Sequence, residues 1–231
     1  MDYSYIKRNF DEVSAVRDEL AAKLGLPPAR LVCVTKSGTD EEVLALAAAG
    51  ATEMAENRPQ MLKARDELLK AHGYSVIMHE IGNLQTNKIK TVLDHAALTH
   101  SVGSLPLAEE IEKQAAKRGI TVPVLMEINI GEEIAKGGVL PDDAFSVFEK
   151  MKALGHLSFK GIMTMAPASE DPEDARPYFR KTKEIFDRLA SAGGFDTETP
   201  ILSMGMSDTY KVALEEGSTL IRVGRRLFIN Q

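Results

Sequence analysis

The stretch Leu31-Val32-Cys33-Val34-Thr35-Lys36-Ser37-Gly38-Thr39-Asp40-Glu41-Glu42-Val43-Leu44-Ala45-Leu46-Ala47 decides how this chain is built. Its first five residues are apolar or β-branched, the composition of a strand buried on both faces. After Gly38, Thr39 or Asp40 can cap a helix that carries Val43, Leu44, Leu46 and Ala47. A strand that runs directly into a helix is the repeating unit of a parallel sheet. Upstream, Ile6, Phe10, Val13, Leu20 and Leu24 follow helical spacing, and Gly25, Pro27 and Pro28 stop that helix. Downstream the alternation continues, with strands expected at 51–55, 75–81, 96–100, 122–129, 157–163, 199–203 and 219–223. Between them lie helical faces such as Phe145, Phe148, Met151, Leu154 and Phe179, Thr182, Phe186, Leu189. Eight strands predict a (β/α)8 barrel of the TIM type, with the extra N-terminal helix covering the outside near the last strand. The rival doubly wound sheet wants a glycine-rich fingerprint after strand 1, and Thr35-Lys36-Ser37-Gly38 is not one. No Pro/Gly/Ser-rich linker divides the 231 residues, so one domain over 1–231 is expected.

Composition narrows the function classes. Hydrophobic residues make up 44% of the chain, enough for a sizeable core. The net charge of −6 argues against nucleic acid as a partner, so any anion site must be made locally. The longest uncharged run, His95 to Ala108, is about 14 residues and is broken by Gly103 and Pro106, too short to span a bilayer. Met1-Asp2-Tyr3-Ser4-Tyr5 carries no basic-to-apolar signal pattern. The lone cysteine, Cys33, cannot form an internal disulfide and reads as buried volume. A cytoplasmic protein is expected.

In a barrel the residues at the carboxyl ends of the strands share one mouth, and phosphate is often held after strands 7 and 8. Lys36 ends strand 1. Partly desolvated there, it could serve as a Schiff-base amine; by position alone it reads more readily as a surface lysine just past a strand. Ser203-Met204-Gly205-Met206-Ser207-Asp208 offers hydroxyls, a glycine and backbone donors for an oxyanion, or an ordinary capping loop. Arg222-Val223-Gly224-Arg225-Arg226 adds close backbone approach and positive charge in an acidic protein. Asn57 follows strand 2 and either aims its amide at a ring substituent or caps the next helix. His79 and His100 lie near the ends of strands 3 and 4 and read as structural histidines. His72, His95 and His156 show no metal-site spacing. Lys88 and Lys136 are weaker amine candidates, the latter in the loop 131–138.

The segments Val34-Thr35-Lys36, Glu56-Asn57, His79 to Lys88, Gly161 to Pro167, Ser203 to Asp208 and Ile221-Arg222-Val223-Gly224, in this order, resemble the pyridoxal phosphate homeostasis protein family. These are single-domain relatives of the alanine racemase N-terminal barrel, among the fold-type III proteins of pyridoxal 5′-phosphate (PLP). The resemblance implies that Lys36 holds PLP as a Schiff base. It implies that Ser203, Gly224 and Arg225 hold the phosphate, with Ser207 supporting that loop. Arg222 is then expected to face the pyridine nitrogen and Asn57 to lie beside the ring. A guanidinium donates hydrogen bonds and accepts none, so the ring nitrogen facing it stays unprotonated and is a poorer electron sink. The β-rich second domain of alanine racemase, which supplies a catalytic tyrosine, has no room here. The resemblance therefore implies a PLP-binding protein of vitamin B6 and amino-acid homeostasis without robust catalytic activity. PLP-dependent apoenzymes are the implied recipients, and a monomer is expected. The alternatives are a PLP-dependent amino-acid racemase on the same lysine and a cofactor-free Schiff-base aldolase. The chain departs from the family at Met54, Ala55, Arg58, Glu80, Ile134, Ala135, Arg225 and Ile229.

Overall fold

The computed structural model describes residues 2–133 and 136–230. Helix α1 (Ser4–Leu24) leads into β1 (Arg30–Val34) and α2 (Asp40–Ala48), then β2 (Glu53–Glu56), α3 (Pro59–Ala71), β3 (Ile77–Glu80), α4 (Ile89–His95) and β4 (Leu98–Val102). The second half continues with α5 (Leu105–Arg118), β5 (Val122–Ile128), α6 (Ala144–Lys152), β6 (Leu157–Thr164), α7 (Arg176–Ser191), β7 (Ile201–Ser203), α8 (Tyr210–Glu215) and β8 (Leu220–Val223). All neighbouring strands pair in parallel, and β8 closes on β1. The expected strands therefore all exist. Several begin one to two residues later than their apolar runs, because a ladder starts where two neighbours overlap, not where the apolar residues start.

Local chemistry sets the helix ends. Thr39, not Asp40, caps α2: its hydroxyl accepts from the Glu42 amide at 3.3 Å, and Glu42 accepts from the Thr39 amide at 2.6 Å. Gly25 ends α1 in the left-handed conformation that glycine adopts without strain.

The strands alternate between two cores. Val32, Val34, Ala55, Leu98, Leu125, Met163, Ile201 and Leu220 fill the barrel interior. Cys33, Met54, Met78, Val124, Met126, Ile162, Leu202 and Ile221 face the helices. Burial on both faces explains why the strands read as near-continuous apolar runs. Helix α1 occupies the outer position next to β8. Asn9 donates to the carbonyls of Leu227 (3.2 Å) and Ile229 (2.8 Å), Glu12 pairs with Arg226 at 2.9 Å, and Tyr5 reaches Glu42. Among the described residues no helix is long and apolar enough to cross a membrane.

Candidate cofactor site

The register of the barrel assembles the mouth. Val32 pairs with Arg222 and Cys33 with Val223, while Val34 pairs with Ala55. The chain beyond β1 therefore runs between the ends of β2 and β8, which brings Lys36 alongside Asn57 and Gly224. These three line a cavity of about 480 Å³ together with Ile81, Gly82, Met165, Ser207, Asp208, Arg222 and Arg225. That volume lies within the usual range for small-molecule sites.

The loop that carries Lys36 is pinned from below. The Thr35 amide donates to the Ala55 carbonyl at 3.0 Å, and its hydroxyl donates to Glu56 Oε1 at 2.6 Å. The buried Arg65 of α3 donates to the Gly38 carbonyl at 2.6 Å and pairs with Asp40. Burial pushes the Glu56 carboxyl up, opposed by the Thr35 hydroxyl and the Arg65 charge. Lys36 itself is exposed, with no hydrogen bond or ion pair among the described residues. The expected partial desolvation is not met, because the side chain lies past the end of β1 and is exposed.

Asn57 is half-buried and lines the cavity; the residue at the cap position of α3 is Arg58, and no side chain caps that helix. Gly82 packs directly on Asn57. A methyl group at Gly82 would lie 2.0 Å from the Asn57 carbonyl oxygen, so this close approach admits no side chain.

The loops after β7 and β8 meet at an anion-shaped edge. The Gly224 amide donates to the Ser207 hydroxyl at 3.2 Å. Among the described residues the backbone amides of Ser207 and Arg225 have no acceptor, which leaves them for an oxyanion. Gly205 sets the path of this loop: its φ is +91°, and a methyl there would meet the Ala213 methyl at 2.5 Å. Arg225 pairs with Asp208, so the extra charge at this position is already partnered.

Arg222 is 3% exposed yet reaches the cavity. Its Nη1 donates to the Ser203 hydroxyl at 2.5 Å and its Nη2 to the Thr164 carbonyl at 2.9 Å. Nε has no partner among the described residues. Burial pulls the guanidinium down to about 10, with Glu127 opposing, so the group remains a pure donor at neutral pH.

Ser203 stands apart from the other expected residues. It is fully buried, does not line the cavity, and bonds to Arg222 and to His100 Nδ1 (3.1 Å). Four positions separate the two serines: Ser203 ends β7 pointing inward, and Ser207 lies in the following loop at the rim.

The remaining candidates lie elsewhere. Lys88 is outside the cavity lining, and Lys136 pairs with Glu133 at 2.6 Å. Of the loop 131–138, positions 134 and 135 lie outside the described residues, and with them the departures at Ile134 and Ala135. Cys33 is buried against the helices, with its thiol pushed up by burial. His95 faces Asp66 and His156 faces Glu112, each at 2.7 Å. Among the described residues no cluster of His, Cys, Asp or Glu gathers to hold a metal. Ile81, Gly82, Met165 and Met206 also line the cavity; they lie in segments that carry the resemblance but are given no site role there, although each follows a strand end, which is the available signal.

The donor set fits a phosphorylated pyridine aldehyde: a free amine, a pure hydrogen-bond donor for a ring nitrogen, and amides with a hydroxyl for a phosphate. The comparisons with known proteins agree. The family described as "Alanine racemase, N-terminal domain" matches residues 6–230. The pyridoxal phosphate homeostasis protein of Aquifex aeolicus is 40% identical over 200 residues, 87% of this chain and 86% of that protein. A crystal structure of an unknown protein from Bifidobacterium adolescentis superposes with a TM-score of 0.90 at 31% identity, covering 99% of this chain and 97% of the other. PipY of Synechococcus elongatus, solved with PLP bound, superposes with a TM-score of 0.78 at 27% identity over 93% of this chain and all of that one. The chain belongs to the alanine racemase N-terminal domain family and, within it, to the pyridoxal phosphate homeostasis proteins.

Proposed function

We propose that this chain binds PLP covalently through Lys36 and serves intracellular vitamin B6 and amino-acid homeostasis as a carrier rather than a fast enzyme. The observation that carries the reading is the meeting of Lys36, Arg222 and the Ser207–Gly224 pair in one cavity of about 480 Å³. The PLP-bound state of PipY supports the ligand.

In this reading Lys36 supplies the amine for the aldehyde carbon. Ser207 and the backbone of Gly224 and Arg225 hold the phosphate. Arg222 donates to the ring nitrogen, and Asn57 lies beside the ring. Ser203 acts through Arg222 instead of touching the phosphate. PLP supplies an electron sink when its nitrogen is protonated, and a donor-only partner at that nitrogen works against it. That argument favours a carrier over a racemase.

The test is direct. Protein loaded with PLP should turn yellow, lose the colour on borohydride reduction, and carry the reduced label on Lys36 in a peptide map. A label on another lysine, or none, rejects the site. Rapid deuterium exchange at Cα across an amino-acid panel, lost in Lys36→Ala, would replace the carrier with the racemase.

A further inference from the structure

Five polar side chains run in file through the barrel interior, from its amino-terminal end to the candidate site. Glu53 is gripped at the foot by Arg30, whose Nη2 and Nε donate to it at 2.6 and 2.9 Å. His79 Nε2 is buried and lies 3.2 Å from Glu53 Oε2, close enough to pair with it but without the alignment of a hydrogen bond. His79 Nδ1 is 2.9 Å from His100 Nε2. His100 Nδ1 is 3.1 Å from the Ser203 hydroxyl, which also receives Arg222 Nη1 at 2.5 Å. Both histidines and Ser203 are fully buried.

The ends dictate every proton between them. A guanidinium can only donate, and an ionised carboxylate can only accept. Arg222 therefore donates to Ser203 Oγ. Ser203 has one proton to place, and among the described residues its remaining partner is His100 Nδ1. That nitrogen accepts, so His100 Nε2 carries the hydrogen and donates to His79 Nδ1. His79 then carries its hydrogen on Nε2, facing the carboxylate. The three hydrogen bonds, and the His79–Glu53 contact beyond them, point the same way, from the buried cation to the part-buried anion.

We propose that Ser203, His100 and His79 form a one-way hydrogen-bond relay, ended by the Glu53 carboxylate, that positions the Arg222 guanidinium for the cofactor ring nitrogen, with both histidines neutral and protonated at Nε2. The proposal rests on the reading of Arg222 given above. Its physical basis is that a buried cation is held in one orientation only if its donors meet fixed acceptors. With one hydrogen of Nη1 and one of Nη2 held by Ser203 and the Thr164 carbonyl, the guanidinium is fixed and Nε–H is among the donors left for a ligand. The charges facing the histidine pair are Arg30 and Glu53 at one end and Arg222 at the other. Burial drives both imidazoles toward the neutral form, most strongly His100, beside His79, Arg222 and Arg30. At Glu53 burial pulls the other way, but His79 beside it and the hydrogen bonds and charge of Arg30 hold it ionised, at about 2.

The experiment has two arms. In cofactor-free protein with 15N-labelled histidine, long-range proton–nitrogen spectra should show two of the five histidines as Nε2–H tautomers that do not titrate between about pH 5.5 and 8.5. Their assignment comes from His79→Gln and His100→Leu. Titration in that window, or an Nδ1–H tautomer at either site, overturns the relay whether or not the variants fold. In the second arm His100→Leu, which breaks the chain without touching the cavity, should raise the Kd for PLP about tenfold. Borohydride labelling of Lys36 at saturating PLP should be retained. Ser203→Ala should weaken binding similarly, and Ser203→Thr, which keeps the hydroxyl, should restore it. A folded His100→Leu with unchanged Kd overturns the positioning role alone. A wild type that takes up no PLP overturns the underlying reading and the relay's purpose with it.

Discussion

The Gly224 amide donates to the Ser207 hydroxyl at 3.2 Å, and this one bond ties the loop after β7 to the loop after β8. Both loops contribute an unpaired amide beside it, at Ser207 and Arg225. An oxyanion at this edge meets donors already fixed in place, so little ordering cost remains on binding.

Ser207→Ala removes the hydroxyl and leaves the Gly224 amide without its acceptor. The Kd for PLP is expected to rise about tenfold, in line with the loss of a hydrogen bond to a charged group. The melting temperature should change little, because the loop lies at the rim. Fluorescence or absorbance titration of PLP measures it; unchanged affinity would place the phosphate elsewhere.

Lys36→Ala tests the amine separately from the fold. The side chain is exposed and unpartnered, so stability should change by less than about 0.5 kcal/mol. The borohydride-trapped label should vanish while the melting curve stays in place. A large loss of stability would show that Lys36 holds the loop as well as facing the cavity.

Arg65→Met probes the support under Lys36. It removes the donor to the Gly38 carbonyl and the partner of Asp40. Loss of the bond at Gly38 is expected to cost roughly 1–3 kcal/mol in a denaturant melt. PLP affinity should fall as well, since the loop that aims Lys36 loses its anchor. Loss of stability without loss of affinity would separate the loop from the site.

Glu80 is the buried last residue of β3. Its Oε1 accepts from the Gly82 amide and its Oε2 from the Ser101 hydroxyl, each at 2.7 Å. Burial nevertheless pushes its carboxyl up to about 8, and the neighbouring Glu127 adds to the rise. In the unfolded chain the group ionises at the ordinary carboxylate value. Between these two values the folded state holds a proton that the unfolded state has lost. The contribution is therefore fully present below the ordinary value and is lost as pH rises toward and through about 8. Glu80→Gln mimics the protonated acid and should flatten that decline, raising the melting temperature at pH 8–9 and leaving it nearly unchanged at pH 4. A parallel pH profile for wild type and variant would exclude the effect.

Much of this was legible in the sequence because it depends on neighbours in the chain. Alternating apolar runs and capped helices named eight strands and their order, and the ends of strands 1 and 8 named Lys36, Arg222 and Gly224. The capping box at Thr39 and Glu42 lies within four residues and follows from the same local rules. Ser203 and Ser207 could not be told apart this way. Their separation depends on where β7 ends, and that is set by pairing with β6 and β8.

The histidine file was beyond sequence reading altogether. His79 meets His100 across 21 residues, and His100 meets Ser203 across 103. Hydrophobic periodicity shows that a side chain points inward, but not which inward side chain from another strand lies beside it. Barrel closure and strand register make that choice. The amino-acid order thus determined the elements and the rim residues, while the closed sheet alone decided which polar groups share the interior and where each must send its proton.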